Sequence, residues 1–210
     1  MDYLRKTVLW MIVAVALGQA QPQSGAADRT VPVDNEWVRV VAVHAAPPRV
    51  KTRWHTHEVN RVMIYLNAGG QEVVHESGKV ETVRWKAGEA IWNPAMGRHT
   101  AEILGPEPAR IVEIELKRRP GDAPAARAVR GGEGVELDNS QVLVRRVTGP
   151  ATVKDDPSST RRWPTVVAYT RGAAAGREVV EWRPASSGDL RLAPGQEAVL
   201  VVVKGASSKR

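Results

Sequence analysis

Residues 54–57 read Trp54-His55-Thr56-His57, and residues 88–99 read Gly88-Glu89-Ala90-Ile91-Trp92-Asn93-Pro94-Ala95-Met96-Gly97-Arg98-His99. The first stretch reads as part of a strand, in which alternate side chains share a face, so His55 and His57 point the same way. Two neutral imidazoles on one face form half of a transition-metal site. The chain has no Cys and five His, namely His44, His55, His57, His75 and His99, so a site of this kind is restricted to His and carboxylate ligands. His99, at the start of a later predicted strand, supplies the third ligand. His44 and His75 have no partner at ligand spacing and read as ordinary strand residues.

Outward from these stretches the chain alternates short apolar-polar runs with turn residues, and no amphipathic helix pattern emerges. The predicted strands are Glu36–His44, Val50–His57, Arg61–Leu66, Gln71–His75, Val80–Trp85, Ala90–Asn93, His99–Leu104 and Arg110–Lys117. Short strands at this spacing predict an all-β sandwich or barrel. A Pro-, Gly- and Ala-rich stretch, 118–133, reads as a linker, and a second run of strands occupies 134–204.

Together the two quoted stretches resemble the motifs of the cupin superfamily. The first family motif is a Gly, a His-x-His pair and a Glu three or four residues on; the second is a Gly, a Pro, a Gly and a His. Here Gly88, Pro94 and His99 keep the spacing of the second motif, with the intervening Gly displaced to Gly97. The resemblance covers residues 35–117. It implies a double-stranded β-helix, or jelly roll, whose mouth holds a divalent metal (Fe, Mn, Zn or Cu) on His55, His57 and His99. Where the family pattern has Glu, this chain has Arg61 or Val62, so no carboxylate ligand carries over. Cupins such as cysteine dioxygenases and diketone-cleaving enzymes use three His alone, so the departure leaves metal binding open.

Three neutral ligands leave the metal charge uncompensated, which favours a small anionic ligand in the open positions. An inward-pointing Arg61 would take the carboxylate of such a ligand; otherwise it is a strand-end surface charge. Trp54 and Trp92 flank motif residues and either wall the ligand cavity or pack outside it. Two functions follow: a metal-dependent enzyme, dioxygenase-like, acting on a small anionic substrate, or a non-catalytic module that binds a small ligand or a structural metal. A homodimer is compatible with either.

The two halves also resemble each other. Val33-Asp34-Asn35 matches Leu137-Asp138-Asn139 at an offset of 104 residues, and Val62-Met63-Ile64-Tyr65 matches Val166-Val167-Ala168-Tyr169 at the same offset. Gln71-Glu72-Val73-Val74 meets Arg177-Glu178-Val179-Val180, and Ala87-Gly88-Glu89 meets Pro194-Gly195-Gln196. Order and spacing suggest tandem cupin barrels, the second decayed, since His55 and His57 fall on Ser159 and Arg161.

At 210 residues with 25% charged and 42% hydrophobic residues, the chain is neither coiled coil, collagen nor disordered. Its net charge of +7 is spread along the sequence, and with 5% aromatics and no Phe it lacks the stacking residues of a nucleic-acid binder. Residues 1–20 have the order of a secretory signal: Arg5 and Lys6, an apolar run from Thr7 to Leu17, then Gly18-Gln19-Ala20. The run is too short to span a bilayer, which takes about 20 apolar residues. The expectation is a mature chain that starts at Gln21, carries a leader over 21–34, does not span a membrane, and is secreted or periplasmic.

Overall fold

The computed structural model describes residues 27–117, 134–154, 163–172, 180–185 and 187–204. The expected signal segment, the linker 118–133, and Ser159 and Arg161 lie outside these residues. The described residues form sixteen strands: β1 (Asp28–Asp34), β2 (Val38–Ala46), β3 (His55–His57), β4 (Arg61–Tyr65), β5 (Gly69–His75), β6 (Val80–Trp85), β7 (Ala90–Asn93), β8 (Met96–Leu104), β9 (Ala109–Leu116), β10 (Val135–Asp138), β11 (Val142–Thr148), β12 (Ala151–Val153), β13 (Thr165–Arg171), β14 (Val180–Arg183), β15 (Leu190–Leu192) and β16 (Glu197–Val203). No helix occurs among the described residues, hence none long and apolar enough to cross a membrane.

The strands form four sheets. A first inner sheet has the order β1-β2-β9-β4-β7, and a first outer sheet the order β3-β8-β5-β6. A second inner sheet runs β10-β11-β16-β13-β14, with a two-stranded outer sheet β12-β15. This is an all-β double-stranded β-helix, with the site histidines on the first outer sheet.

Alternation in the inner strands explains how the layers stack. In β4, Val62 and Ile64 join one apolar cluster while Met63 and Tyr65 join another; in β9, Val112, Ile114 and Leu116 oppose Ile111. One cluster fills the space between the two sheets of the first half. The other lies between the two inner sheets, where Val62, Ile64, Val112 and Ile114 meet Val142, Val166, Val199 and Val201, all fully buried. A third, smaller cluster sits between the sheets of the second half, around Val167, Leu190, Leu192 and Leu200.

Polar contacts join the halves at the rim of the shared cluster. Asn60 Nδ2 donates to Gln141 Oε1. Arg146 donates from Nε to Glu136 and from Nη1 to Glu197, each at 2.6 Å, and from Nη2 to the carbonyl of Gly88. Gly88 has φ of +78°, a backbone conformation that favours glycine, and a Cβ there would fall 2.6 Å from Arg146 Nη1 and displace the end of that side chain.

Several expectations change in detail. The last seven residues of the expected leader are strand β1, paired with β2, because Val33 is buried in the shared cluster. The strand predicted over Val50–His57 is reduced to β3, with Lys51 held by an isolated bridge to Glu102. The Asp-Asn pair repeats its structure in both halves: Asn35 Oδ1 accepts from the backbone of Trp37 and Val38, and Asn139 Oδ1 from Gln141 and Val142. Lys117 pairs with Asp34, as Lys204 does with Asp138. β4 and β13 likewise hold equivalent positions, each beside the strand that closes its sheet, β9 or β16.

Of the other two matches, the one to Arg177-Glu178-Val179-Val180 falls outside the described residues except for Val180, which opens β14, the edge of an inner sheet and the place β7 occupies in the first half. Gly88 leads into that edge strand β7, and Gly195 into the central strand β16, so their turns are alike locally and differ in topology.

Cutting the contact between inner sheets should be costly. Ile114→Ala is expected to lower unfolding free energy by about 2–5 kcal/mol through lost burial and the cavity left behind. Gly88→Ala should also destabilise, through a strained backbone and a displaced Arg146. Urea midpoints of the purified variants against wild type check both.

Candidate metal centre

β3 and β8 are hydrogen-bonded neighbours, and their register sets His55 directly opposite His99. Directly opposed residues share a face, so the alternation that aligns His57 with His55 brings all three rings together. Ring centroids are 4.4 Å apart for His55–His99, 4.9 Å for His55–His57 and 5.2 Å for His57–His99. The three offer ring nitrogens within 4.8 Å of one another. Tetrahedral ligands at about 2.0–2.1 Å from one ion lie roughly 3.4 Å apart, so small side-chain movements suffice to close on a metal.

Two of the rings are oriented alike. His55 Nδ1 lies 2.8 Å from the carbonyl of Arg53, and His99 Nδ1 lies 2.8 Å from that of Gly97. A carbonyl only accepts, so Nδ1 carries the proton in both and Nε2 keeps its lone pair. Burial pushes the His57 pKa down to about 3, with Arg61, His55 and His99 adding to the effect. Burial also holds His99 below its ordinary value. His57 and His99 are therefore neutral at neutral pH, the form that ligates, and the donor set fits a divalent ion.

Arg61 lies on the inner face of β4, 4% exposed, and donates from Nη1 to Glu113 Oε1 at 2.7 Å. Its Nε is buried and has no acceptor among the described residues. It is thus an inward-pointing group and not a strand-end surface charge. Glu113, on the facing strand β9, also approaches His57, Oε1 to Nδ1 at 3.6 Å. With His57 neutral, this is a contact of imidazole with carboxylate and not an ion pair. Glu113 and Glu115 can cluster with His57 alone among the three His; Glu115 is otherwise paired with Arg39 at 3.1 Å.

The remaining sequence candidates fall elsewhere. Trp92 sits opposite Val62 and packs on the cluster between the inner sheets, away from the histidines, so it cannot wall the site. Trp54 is 45% exposed and lies against Arg98, 5.5 Å from its ring centroid. His44 is exposed and bonds Thr30. His75 pairs in register with His99, rings 6.1 Å apart, and its Nε2 approaches Glu81 at 3.3 Å, so it extends the histidine row without joining the triad.

Sequence reasoning missed Glu113. Its signal was present in Ile111-Val112-Glu113-Ile114-Glu115-Leu116, where a strand apolar on both faces interrupts its inner face with two carboxylates. Below the site, Tyr65 stacks on Trp85 at 4.0 Å and 15°, and burial pushes its hydroxyl pKa up to about 12.

No family model and no curated protein matches the chain. Solved structures do. The chain is similar to a cupin domain from Bordetella pertussis Tohama I, 26% identical over 47% of this chain and 100% of that one, with a TM-score of 0.42. It is also similar to an uncharacterised conserved protein with a double-stranded β-helix domain from Klebsiella pneumoniae, 25% identical over 48% of this chain and 85% of that one, TM-score 0.38. AerE from Microcystis aeruginosa matches 84% of this chain and 97% of its own at a TM-score of 0.50 and 10% identity, a likeness of fold alone. The sheet order itself gives the chain an all-β double-stranded β-helix, the fold that the resemblance read from the two motifs implies.

Removing Arg61 should leave Glu113 partly buried and unpaired. Arg61→Met is expected to cost about 3 kcal/mol of stability, read as a lower urea midpoint in metal-free protein. The double variant Arg61→Met/Glu113→Gln should recover part of the loss.

Proposed function

We propose that the chain is an exported metal-binding protein of the cupin fold, in which His55, His57 and His99 hold a divalent ion and leave its other positions for a small anionic ligand. The observation that carries this reading is the convergence of three rings, two of them fixed with Nε2 free by backbone carbonyls. Imidazole ligands suit iron, copper and zinc, and manganese is the fourth candidate.

The anionic preference follows from charge. Arg61 and Glu113 offset each other, so the ion's two positive charges meet three neutral ligands and remain uncompensated. An anion seated beside Arg61 would also satisfy its Nε. A bound ion would supply Lewis-acid polarisation of that ligand, or redox chemistry if it is iron or copper. The protein's own part is to orient the ligand through Arg61 and to hold His57 and His99 neutral.

A second reading, a binding module without turnover, rests on a specific observation. Among the described residues, the carboxylates that cluster with His57 are both held by arginines, Glu113 by Arg61 and Glu115 by Arg39, and neither is free to act as a general base. We read residues 134–204 as a reduced second barrel that backs the first, supported by the repeated Asp-Asn turn and the shared apolar cluster. Export rests on the order of charge, apolar run and small residues over 1–20.

Elemental analysis of the purified protein tests the reading, with about one divalent ion per chain expected. His55→Ala, His57→Ala or His99→Ala should each weaken metal binding at least tenfold, while His44→Ala leaves it unchanged. Unchanged metal content in His55→Ala and His99→Ala would overturn the site. Intact mass of material from the cell envelope should correspond to a chain starting at Gln21; a mass that includes Met1 counts against export by cleavage.

A further inference from the structure

The three site imidazoles are not held alike. His55 and His99 each find a backbone carbonyl at Nδ1, whereas among the described residues Nδ1 of His57 faces Glu113 Oε1, at 3.6 Å. That carboxylate comes from β9, and Arg61 of the adjacent strand β4 fixes it at 2.7 Å. Arg61 occupies one of the two positions where the cupin pattern places a ligating Glu. The chain thus carries a cation at that position and a carboxylate behind His57.

Resting on the three-His reading, we propose that Glu113 is a positioning residue. It faces Nδ1 of His57, favours the tautomer with the proton there, and so turns the Nε2 lone pair towards the other two histidines, without itself ligating the metal. Three observations support this. Glu113 shares a ligand-distance cluster with His57 and Glu115 but not with His55 or His99. Its Oε1 is already engaged by Arg61, which fixes the carboxylate relative to the imidazole. At 3.6 Å the contact is longer than a hydrogen bond, yet in a site where His57 and Arg61 are mostly buried a carboxylate still attracts an N–H and repels a lone pair.

The same geometry gives Glu113 a second effect. Without it, the Arg61 guanidinium would face a divalent cation with no counter-charge. Orientation and charge compensation can be separated by a double-mutant cycle, because deleting Arg61 together with Glu113 removes the second effect and keeps the loss of the first.

The experiment is zinc affinity, by chelator competition, for wild type, Glu113→Gln, Glu113→Asp and Arg61→Met/Glu113→Gln, together with 15N NMR of the His57 tautomer in metal-free protein. Outer-shell partners of ligating His typically contribute 10–100-fold in metal affinity. Glu113→Gln and the double variant are both expected to bind zinc about 10–100-fold more weakly. Glu113→Asp, which keeps the charge but shortens the reach, should also weaken it and covers the case in which Gln at 113 prevents folding. Metal-free wild type should show the proton on Nδ1 of His57, and Glu113→Gln a mixture of tautomers.

Wild-type affinity in the double variant would overturn the positioning role and leave charge compensation alone. Loss of an oxygen ligand from the zinc X-ray absorption spectrum of Glu113→Gln would overturn it by making Glu113 a direct ligand. If wild type binds no zinc, the three-His reading fails by itself. The tautomer then decides Glu113: Nδ1 protonation lost in Glu113→Gln supports the positioning role, and an unchanged tautomer overturns it.

Discussion

The first inner sheet is buried on both faces, and the rest of the structure depends on that. Along β4 and β9, one set of side chains closes the interior of the first sheet pair while the alternate set packs against the second inner sheet. A half-solvated sheet would need only one apolar face; here both must be apolar, which accounts for runs such as Arg61-Val62-Met63-Ile64-Tyr65. The polar exceptions on these strands are therefore informative. Arg61, Glu113 and Glu115 interrupt the interior face at the level of the histidines, where each finds an opposite charge.

Burial and charge act together on the triad. Desolvation disfavours protonated imidazole, and Arg61 adds a positive potential, so His57 is held far below its ordinary pKa. Both effects present a lone pair to a metal at neutral pH without proton competition. The positive potential of Arg61 would also repel the ion it prepares for, and Glu113 offsets that repulsion at 2.7 Å from the guanidinium. Under the proposed reading, a charge pair in place of a single ligating carboxylate would leave a bound ion with neutral ligands only, and an anion in its open positions would then be held more strongly than beside a carboxylate ligand.

Much of this was legible in the sequence, and what was not has physical reasons. Period-two alternation put His55 and His57 on one face, and the Gly88–Pro94–His99 spacing anticipated the return of β8 beside β3. Alternation alone could not tell which face of β4 or β9 looks into the site, because both faces are apolar; hence Glu113 passed unnoticed and Arg61 was left open. Trp92 lies next to motif residues in sequence but opposite Val62 in register, on the far face. β1 was hidden because, at its exposed sheet edge, Asp28–Asp34 is polar and mostly accessible. The Asp-Asn pair recurs in both halves because it specifies a particular set of backbone hydrogen bonds, which a short alternating run does not.

The asymmetry between the halves is consistent with this division of labour. The second half keeps the strands that build its inner sheet, and its described outer sheet has two strands against four in the first. What it retains, Val142, Val144, Val166, Val199 and Val201, is the surface that covers the first inner sheet. Arg146 ties that surface to Gly88, at the turn leading into β7, and so fixes the strand beside β4 that carries Arg61. A second half without histidine still constrains the site through this covered face. Substitutions in the shared cluster would therefore reach the proposed site by loosening β4 and β9, whereas those at Arg61 and Glu113 would change the groups beside His57.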